Sequence, residues 1–360
     1  MNTPTPMLQQ YHELKRQHPG TLLLFRLGDF YELFYDDAVT GARELQITLT
    51  ARHKERGAPI PMCGVPHHAA ANYIARLISK GYRVAICEQT EDPSKTKKLL
   101  RREVVRVITP GTAIDPQLIE ANEAVYLAAV CGTGERMGAA FLDLSTGEFR
   151  TTEAAGPNAW NRIRADVESY GPRELLFPAS LTQLIKDLFA STKAHTTRLP
   201  LQQEHSTDDG LLQEAAPRPP PSATSSTKSA GGWTTGLIAL TPLDDWVWQP
   251  TECASLLCAQ FGTRSLEGYN LDGRTEAVRA AGACLYYARD TQRTAVAHIT
   301  DITYFEAQDS LVLDHTTVRN LELTEAQTSA NRAHSLFGVI NTTVTGMGTR
   351  LLRTWLLRPS

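Results

Sequence analysis

Apolar positions along the chain change period several times, and each change marks an element. Thr5-Pro6 has the form of a helix N-cap followed by proline at the first helical position, and "MLQQYHELKRQ" continues as a short amphipathic helix. "TLLLFRL", Thr21 to Leu27, is an unbroken apolar run of strand length and reads as a buried strand. Leu33, Phe34, Ala38, Ala42 and Leu45 then recur at helical spacing. "ITLTARHKERGAPIPMCGVPHH" alternates like a strand before entering a Pro/Gly-rich stretch that reads as a loop. "AANYIARLISKGY" is an amphipathic helix with Gly81 placed to end it, and "RVAICEQ" and "REVVRVITPGT" are strands.

A second unit opens with "EAVYLAAVCG" and "RMGAAFLDLSTGEFRTTE", where Ser145-Thr146-Gly147 separates two alternating strands as a hairpin turn. Helix "NAWNRIRADVESY", strand "RELLFP", helix "LTQLIKDLFAST" and strand "AHTTRLP" follow, which predicts a sheet flanked by helices. Residues 202–235 break this pattern. They are rich in Pro, Ser, Thr and Gly and too poor in large aliphatics to offset their ordering entropy, so a disordered insertion is expected there. "PTECASLLCAQFG" and "RTEAVRAAGACLYYARDTQ" resume as helices. From about Ala295 a third stretch is extended and then helical. It stops just after an amphipathic helix, which predicts that the chain is a piece of a longer protein.

At 360 residues, two or three domains are expected. No stretch approaches the ~20 apolar residues of a membrane span, and the polar N-terminus carries no secretory h-region, so the expected location is the cytoplasm. None of the six cysteines forms a C-x-x-C pair, and no Cys/His set has zinc-ligand spacing, so buried reduced thiols are expected. The net charge of −3 is uninformative, but its distribution is not. Residues 1–115 hold 16 Lys and Arg against 12 Asp and Glu, whereas the rest hold 20 against 27. An anionic partner for the first unit follows as an expectation. The densest run, "KTKKLLRREVVR", has six cations and one anion between Lys95 and Arg106. Taken alone, a solvated strip explains it equally well.

Enzymatic chemistry is hard to find. There is no P-loop, no G-x-G-x-x-G opening a helix and no G-x-S-x-G elbow. His67-His68 sits in the Pro/Gly stretch without a third ligand spaced nearby, which points to loop packing. Asp143 could serve a metal-dependent nuclease, but the further carboxylates such a site needs are not evident.

One stretch carries more than folding requires: "LGDFYELFY", Leu27 to Tyr35. Asp29-x-x-Glu32 has the form of a capping box that opens a helix. Phe30 would then be the first helical residue, pointing off the helix tip without packing benefit. It is either part of that start or an apolar ring meant for something outside, such as a wedge between DNA base steps.

Several colinear segments resemble the MutS family of DNA mismatch recognition proteins. They include "TPMLQQYHELKRQHPGTLLLFRLGDFYELFYDDA", "PIPMCGVPHHAAANYIARLISKGYRVAICEQ", "VVRVITPGT", "FLDLSTGEF", "QFGTRSLEGY", "AGACLYYARDTQ", "DSLVLDHTTVRNLEL" and "TGMGTRLLRTWL". The resemblance covers nearly the whole chain except the insertion. It implies a multidomain α/β protein. A mixed-sheet mismatch-binding domain spans 1–118. An RNase H-like connector without nuclease activity spans 119–292 and carries the insertion 202–235. The start of a mainly helical lever and core region spans 293–360. The family's Phe-x-Glu motif falls on Phe30 and Glu32, the ring to stack on a mispaired base and the carboxylate to hydrogen-bond it. Thymine N3–H can donate to a carboxylate, whereas purine N7 would need a protonated Glu32. Arg52, Lys54, Lys95, Lys97, Lys98 and Arg101 are candidate contacts to the DNA backbone. The resemblance further implies mismatched duplex DNA and a MutL-type repair partner as partners, the latter through the connector. It implies a homodimer in the full-length family protein, no membrane, and no metal or cofactor in this chain. The ATP and Mg2+ of the family would be used by an ATPase further along the full-length protein, with no counterpart in this sequence.

Overall fold

The computed structural model describes residues 5–55, 58–91, 100–115, 117–118, 122–189, 238–306, 311, 313, 315–327 and 332–359. The strand expected at 194–200 and the insertion expected at 202–235 lie outside the described residues.

The first unit runs α1 (Pro6–Gln17), β1 (Leu22–Leu27), β2 (Phe30–Phe34), α2 (Tyr35–Leu45), β3 (Thr50–Glu55), β4 (Ala58–Pro66), α3 (Ala70–Ser79), β5 (Val84–Gln89) and β6 (Arg102–Ile108). Its six strands lie in the order β3-β4-β2-β1-β5-β6, with β1 and β5 parallel and the other neighbours antiparallel. Thr5 caps α1 as expected, its hydroxyl accepting from the Leu8 amide at 3.4 Å, with Pro6 at the first helical position. The unbroken apolar run of β1 follows from burial on both faces. Leu22 and Leu24 pack under α2 and α3, while Leu23 and Phe25 pack under α1 with Tyr11 and Phe34. Tyr11 meets Phe25 and Phe34 edge-on at centroid distances of 5.7 and 5.2 Å. Each such ring taken fully out of water contributes about 2–3 kcal/mol.

Two expectations are corrected here. The Pro/Gly-rich stretch is strand β4, not a loop. Pro59 and Pro61 pair with Lys54 and Ala51 of β3 but lie beyond the last rung with β2, Phe34 opposite Met62, so their missing N–H groups cost the β2 ladder nothing. Nor does a helix begin at Asp29. Phe30–Phe34 is a strand, and the helix starts at Tyr35 with Asp36 and Asp37 in its first turn. The five residues fill both faces of a sheet, which a helical reading of Leu33 and Phe34 conceals. Buried Asp37 accepts from the Leu23 amide at 3.0 Å and is paired with Lys15 at 2.7 Å, tying α1, β1 and α2 together.

The second unit comprises β7 (Tyr126–Gly132), β8 (Arg136–Asp143), β9 (Glu148–Ala155), α4 (Ala159–Tyr170), β10 (Glu174–Pro178), α5 (Thr182–Phe189), β11 (Ala239–Leu243), α6 (Pro250–Phe261), α7 (Thr275–Gln292) and β12 (Thr303–Tyr304). The sheet order is β11-β10-β7-β8-β9-β12. β11, β10 and β7 run parallel, β7, β8 and β9 form an antiparallel meander, and β12 adds a short parallel edge to β9. The expected hairpin at Ser145–Gly147 joins β8 to β9. Helices α6 and α7 cover one face and α4 the other. Helix α7 sits so close to β8 that a Cβ on Gly138 would lie 2.1 Å from the Glu276 carbonyl oxygen, so only glycine fits there. Short helices α8 (His315–Asn320), α9 (Leu336–Ile340) and α10 (Gly346–Leu357) follow. The overall class is therefore α/β with two mixed sheets, as expected.

The two sheets meet at a buried carboxylate. Glu174 of β10 is fully buried and accepts from Thr109 Oγ1 at 2.5 Å, the Gly111 amide at 3.1 Å, Thr241 Oγ1 at 2.6 Å and Tyr287 OH at 2.7 Å. Thr109 and Gly111 follow β6, whereas Thr241 and Tyr287 belong to β11 and α7. Gln292 adds a bond of 2.7 Å from its amide to the Thr112 carbonyl. All six cysteines are free; burial pushes the thiols of Cys63 and Cys253 up to about 11 and that of Cys87 up to about 12. Among the described residues no helix is long and apolar enough to cross a membrane.

Candidate nucleic-acid interface

β1 and β2 are joined by two residues only, Gly28 and Asp29, between the closing pair Leu27 and Phe30. Gly28 takes φ +57, a backbone region that L side chains rarely adopt, so glycine suits the first turn position. The Asp29 carbonyl accepts from the His67 amide at 2.8 Å, fastening the turn to the segment after β4. Phe30 is thus the first residue of a strand paired on both sides, with Leu27 of β1 and Pro66 of β4. Phe30 is 47% exposed, whereas Tyr31 and Phe34 are buried and Tyr35 is half-buried. The expected exposure of Phe30 holds, although its cause is the start of a strand beside a tight turn and not a helix tip.

Strand alternation puts Phe30, Glu32 and Phe34 on one face. Phe34 lies in the aromatic cluster beneath α1. Glu32 lies between that cluster and the exposed ring, opposite Phe25 of β1 and Gly64 of β4, and is itself buried. A wedge-sized ring and a carboxylate two residues apart therefore share one sheet face.

Both faces of this hairpin are braced. On the α2 and α3 face the Tyr31 hydroxyl donates to Glu88. The Arg26 guanidinium stands 5.5 Å over the Tyr31 ring and 3.8 Å from Glu88, and its Nε donates to the Gly28 carbonyl. Burial, and then the Glu88 hydrogen bond, hold the Tyr31 phenol far above its usual range. On the other face Arg102 of β6 reaches across β5, donating from Nε to the Arg26 carbonyl at 2.9 Å and from Nη1 to the Leu100 carbonyl at 3.0 Å. Its guanidinium lies 5.1 Å from the Phe25 ring centroid. The sequence places Arg102 in a basic run expected to attract DNA and gives it no individual role. The only signal was its place at the start of a strand directly after that run.

The candidate backbone contacts fare unequally. Arg52 and Lys54 fall in edge strand β3, Arg52 where the register with β4 shifts between Ala51 and His53. Lys95, Lys97 and Lys98 lie outside the described residues. The exposed Arg101 side chain is paired with Glu103 at 2.6 Å. Among the described residues no group of three or more His, Cys, Asp or Glu could hold a metal ion. Asp143 is buried and engaged by its own turn, accepting from the Ser145 amide at 2.8 Å and hydroxyl at 2.6 Å, and it meets Arg350 of α10 at 3.3 Å.

Three family profiles match in chain order: MutS domain I over residues 5–117, MutS domain II over 125–213 and MutS domain III over 316–360. The chain belongs to the MutS family. The MutS domain I match contains the braced hairpin with Phe30 and Glu32, and the domain II match starts at the second sheet. Proteins named DNA mismatch repair protein MutS are similar over nearly the full chain. That of Solibacter usitatus is 45% identical over 99% of this chain, and that of Syntrophobacter fumaroxidans 40% over 100%. That of Pelotomaculum thermopropionicum is 39% identical over 98%. This chain spans 35–36% of the length of these MutS relatives.

Proposed function

We propose that this chain is the mismatch-reading portion of a DNA mismatch repair protein, with Phe30 as an aromatic wedge at the mispaired base and Glu32 as its hydrogen-bonding partner. The observation that carries this reading is the exposed Phe30 ring on a strand paired at both sides, with Glu32 on the same face. A mispaired step stacks and pairs weakly, so inserting a ring there costs less than in matched duplex. The ring then tests deformability, and the carboxylate, repelled by phosphates, gains a hydrogen bond where a base edge can donate to it. Arg52, Lys54, Lys95, Lys97, Lys98 and Arg101 supply the sequence-independent attraction to the backbone.

The working division is a mismatch-binding domain at 1–118, a connector at 119–292 and the start of the lever and core at 293–360. A MutL-type partner docks on the connector, the full-length protein pairs as a homodimer in the cytoplasm, and ATP with Mg2+ acts in other parts of that protein. The chain's own work is binding, not catalysis. Asp143 supports this, since its carboxylate is occupied by Ser145 and Arg350.

The test compares binding of a G·T heteroduplex and its matched homoduplex by the wild type and Phe30→Ala. Loss of one base–aromatic stack, about 1–3 kcal/mol, should weaken heteroduplex binding roughly 5- to 150-fold and leave homoduplex binding nearly unchanged. Undiminished discrimination by Phe30→Ala would refute the wedge assignment. A pH series checks Glu32. Affinity for a mismatch read through purine N7 should fall as pH rises in the wild type, and stay flat in Glu32→Gln.

A further inference from the structure

Arg102 presents an unusual balance of cost and benefit. Its side chain is buried, at 7% exposure, yet among the described residues its hydrogen bonds go to two backbone carbonyls and not to a carboxylate. A guanidinium taken out of water without an anionic partner is costly. The burial is strong enough to hold its pKa below the usual arginine range. What it gains lies at the hairpin. The parallel ladder between β1 and β5 ends at Phe25 opposite Cys87, so Arg26, the next residue, has no rung with β5. The Arg102 guanidinium takes the place of that rung, donating to the Arg26 carbonyl from 76 residues away in sequence. Arg26 pairs with Tyr31 and its neighbour Leu27 pairs with Phe30. The same guanidinium lies over the Phe25 ring, and Phe25 pairs with Glu32.

Resting on the wedge reading above, we propose that Arg102 is a positioning residue for mismatch discrimination: it fixes the free end of the β1–β2 hairpin, so that Phe30 and Glu32 meet DNA in one orientation. A ring that must part stacked bases works against the stacking it breaks. A hairpin end free to shift would yield before the duplex does. Arg102 touches no base in this scheme; it acts through the hairpin, and its effect must vanish once the ring is gone.

That condition defines the experiment, a double-mutant cycle on the 360-residue chain. Wild type, Arg102→Lys, Phe30→Ala and the double variant are compared for binding to G·T heteroduplex and matched homoduplex, with circular dichroism and thermal unfolding as controls. Arg102→Lys keeps the charge but cannot both bridge two carbonyls and stack on Phe25. The expected result is a loss of discrimination of about tenfold in the wild-type background, unchanged homoduplex affinity, and no further loss beside Phe30→Ala. Equal weakening of both duplexes would make Arg102 a general backbone contact and overturn the proposal. So would an equal loss of discrimination with and without Phe30, or no loss at all. Arg102→Gln is run in parallel in case the lysine variant is destabilised; failure of both to fold would assign the residue to global stability and overturn the proposal as well. If Phe30→Ala alone keeps full discrimination, the wedge reading itself has failed, a different outcome from a silent Arg102.

Discussion

Removing the Glu174 carboxylate should loosen the joint between the two sheets by an amount that depends on what replaces it. Glu174→Ala leaves four donors without their acceptor: the hydroxyls of Thr109, Thr241 and Tyr287 and the amide of Gly111. A buried donor without a partner costs about 1–3 kcal/mol. The Thr109 hydroxyl can turn to Thr112 Oγ1, only 2.8 Å away, but the Gly111 amide is fixed by its backbone. With partial rescue by rotation and by water entering the space, a loss of about 4 kcal/mol is expected. Glu174→Gln should cost only about 1–2 kcal/mol. Its carbonyl oxygen can face Thr109 and Gly111, and its amide can face the two hydroxyls that are able to rotate and accept. Urea unfolding at pH 7 gives the global effect. Hydrogen exchange at the Gly111 amide reads the joint itself, and protection there should collapse in Glu174→Ala and persist in Glu174→Gln. Alanine and glutamine variants within about 1 kcal/mol of each other and of the wild type would refute the reasoning.

Three further outcomes are expected. Gly138→Ala should destabilise the second unit by more than about 3 kcal/mol in thermal unfolding, because the added Cβ meets the Glu276 carbonyl at 2.1 Å and helix α7 must move. Asp166 should give a pH signature, since burial raises its carboxyl to about 6 against the partly offsetting charges of Arg162 and Arg358. Its pKa is higher folded than unfolded, so its contribution is favourable in acid and is lost as pH rises from about 4 to 6. Asp166→Asn should therefore stabilise the protein by roughly 1–2 kcal/mol at pH 7.5 and by almost nothing at pH 4, as urea unfolding at the two pH values will show. Replacing Lys95, Lys97 and Lys98 by glutamine should weaken binding to matched and mismatched duplexes alike. The log–log salt slope should flatten by about 0.9 for each phosphate that the protein no longer neutralises.

Most of the fold was legible where period and burial coincide. In the meander, β7 and β8 are near-continuous apolar runs of strand length buried on both faces and separated from β9 by a turn, α6 and α7 carry long helical patterns, and Thr5-Pro6 announces α1. The candidate site was legible in composition and misread in shape. Phe30–Phe34 belongs to a sheet whose two faces are both covered near Phe34, so its apolar residues blend with the helical spacing of Ala38, Ala42 and Leu45. Strand β4 was hidden by its prolines, of which Pro59 and Pro61 lie beyond the last rung with β2 and Pro66 sits at the terminal rung opposite Phe30. Arg102 and Glu174 could not be found locally. The hairpin partner of Arg102 lies 76 residues away and the partners of Glu174 lie 63 to 113 residues away, and neither spacing leaves a trace in a window of sequence.

Phe30 begins a strand whose backbone is paired on both sides, and this has a kinetic consequence. A ring on a flexible loop could retract from matched DNA and try again at the next step. Here the backbone beneath the ring has nowhere to go, held by Leu27 on one side and Pro66 on the other. On the proposed wedge reading, each trial of a base step would therefore lift or seat the whole N-terminal sheet together. The search along DNA would then be a series of rigid-body landings, paced by how readily the sheet releases the backbone and not by how fast one side chain flips.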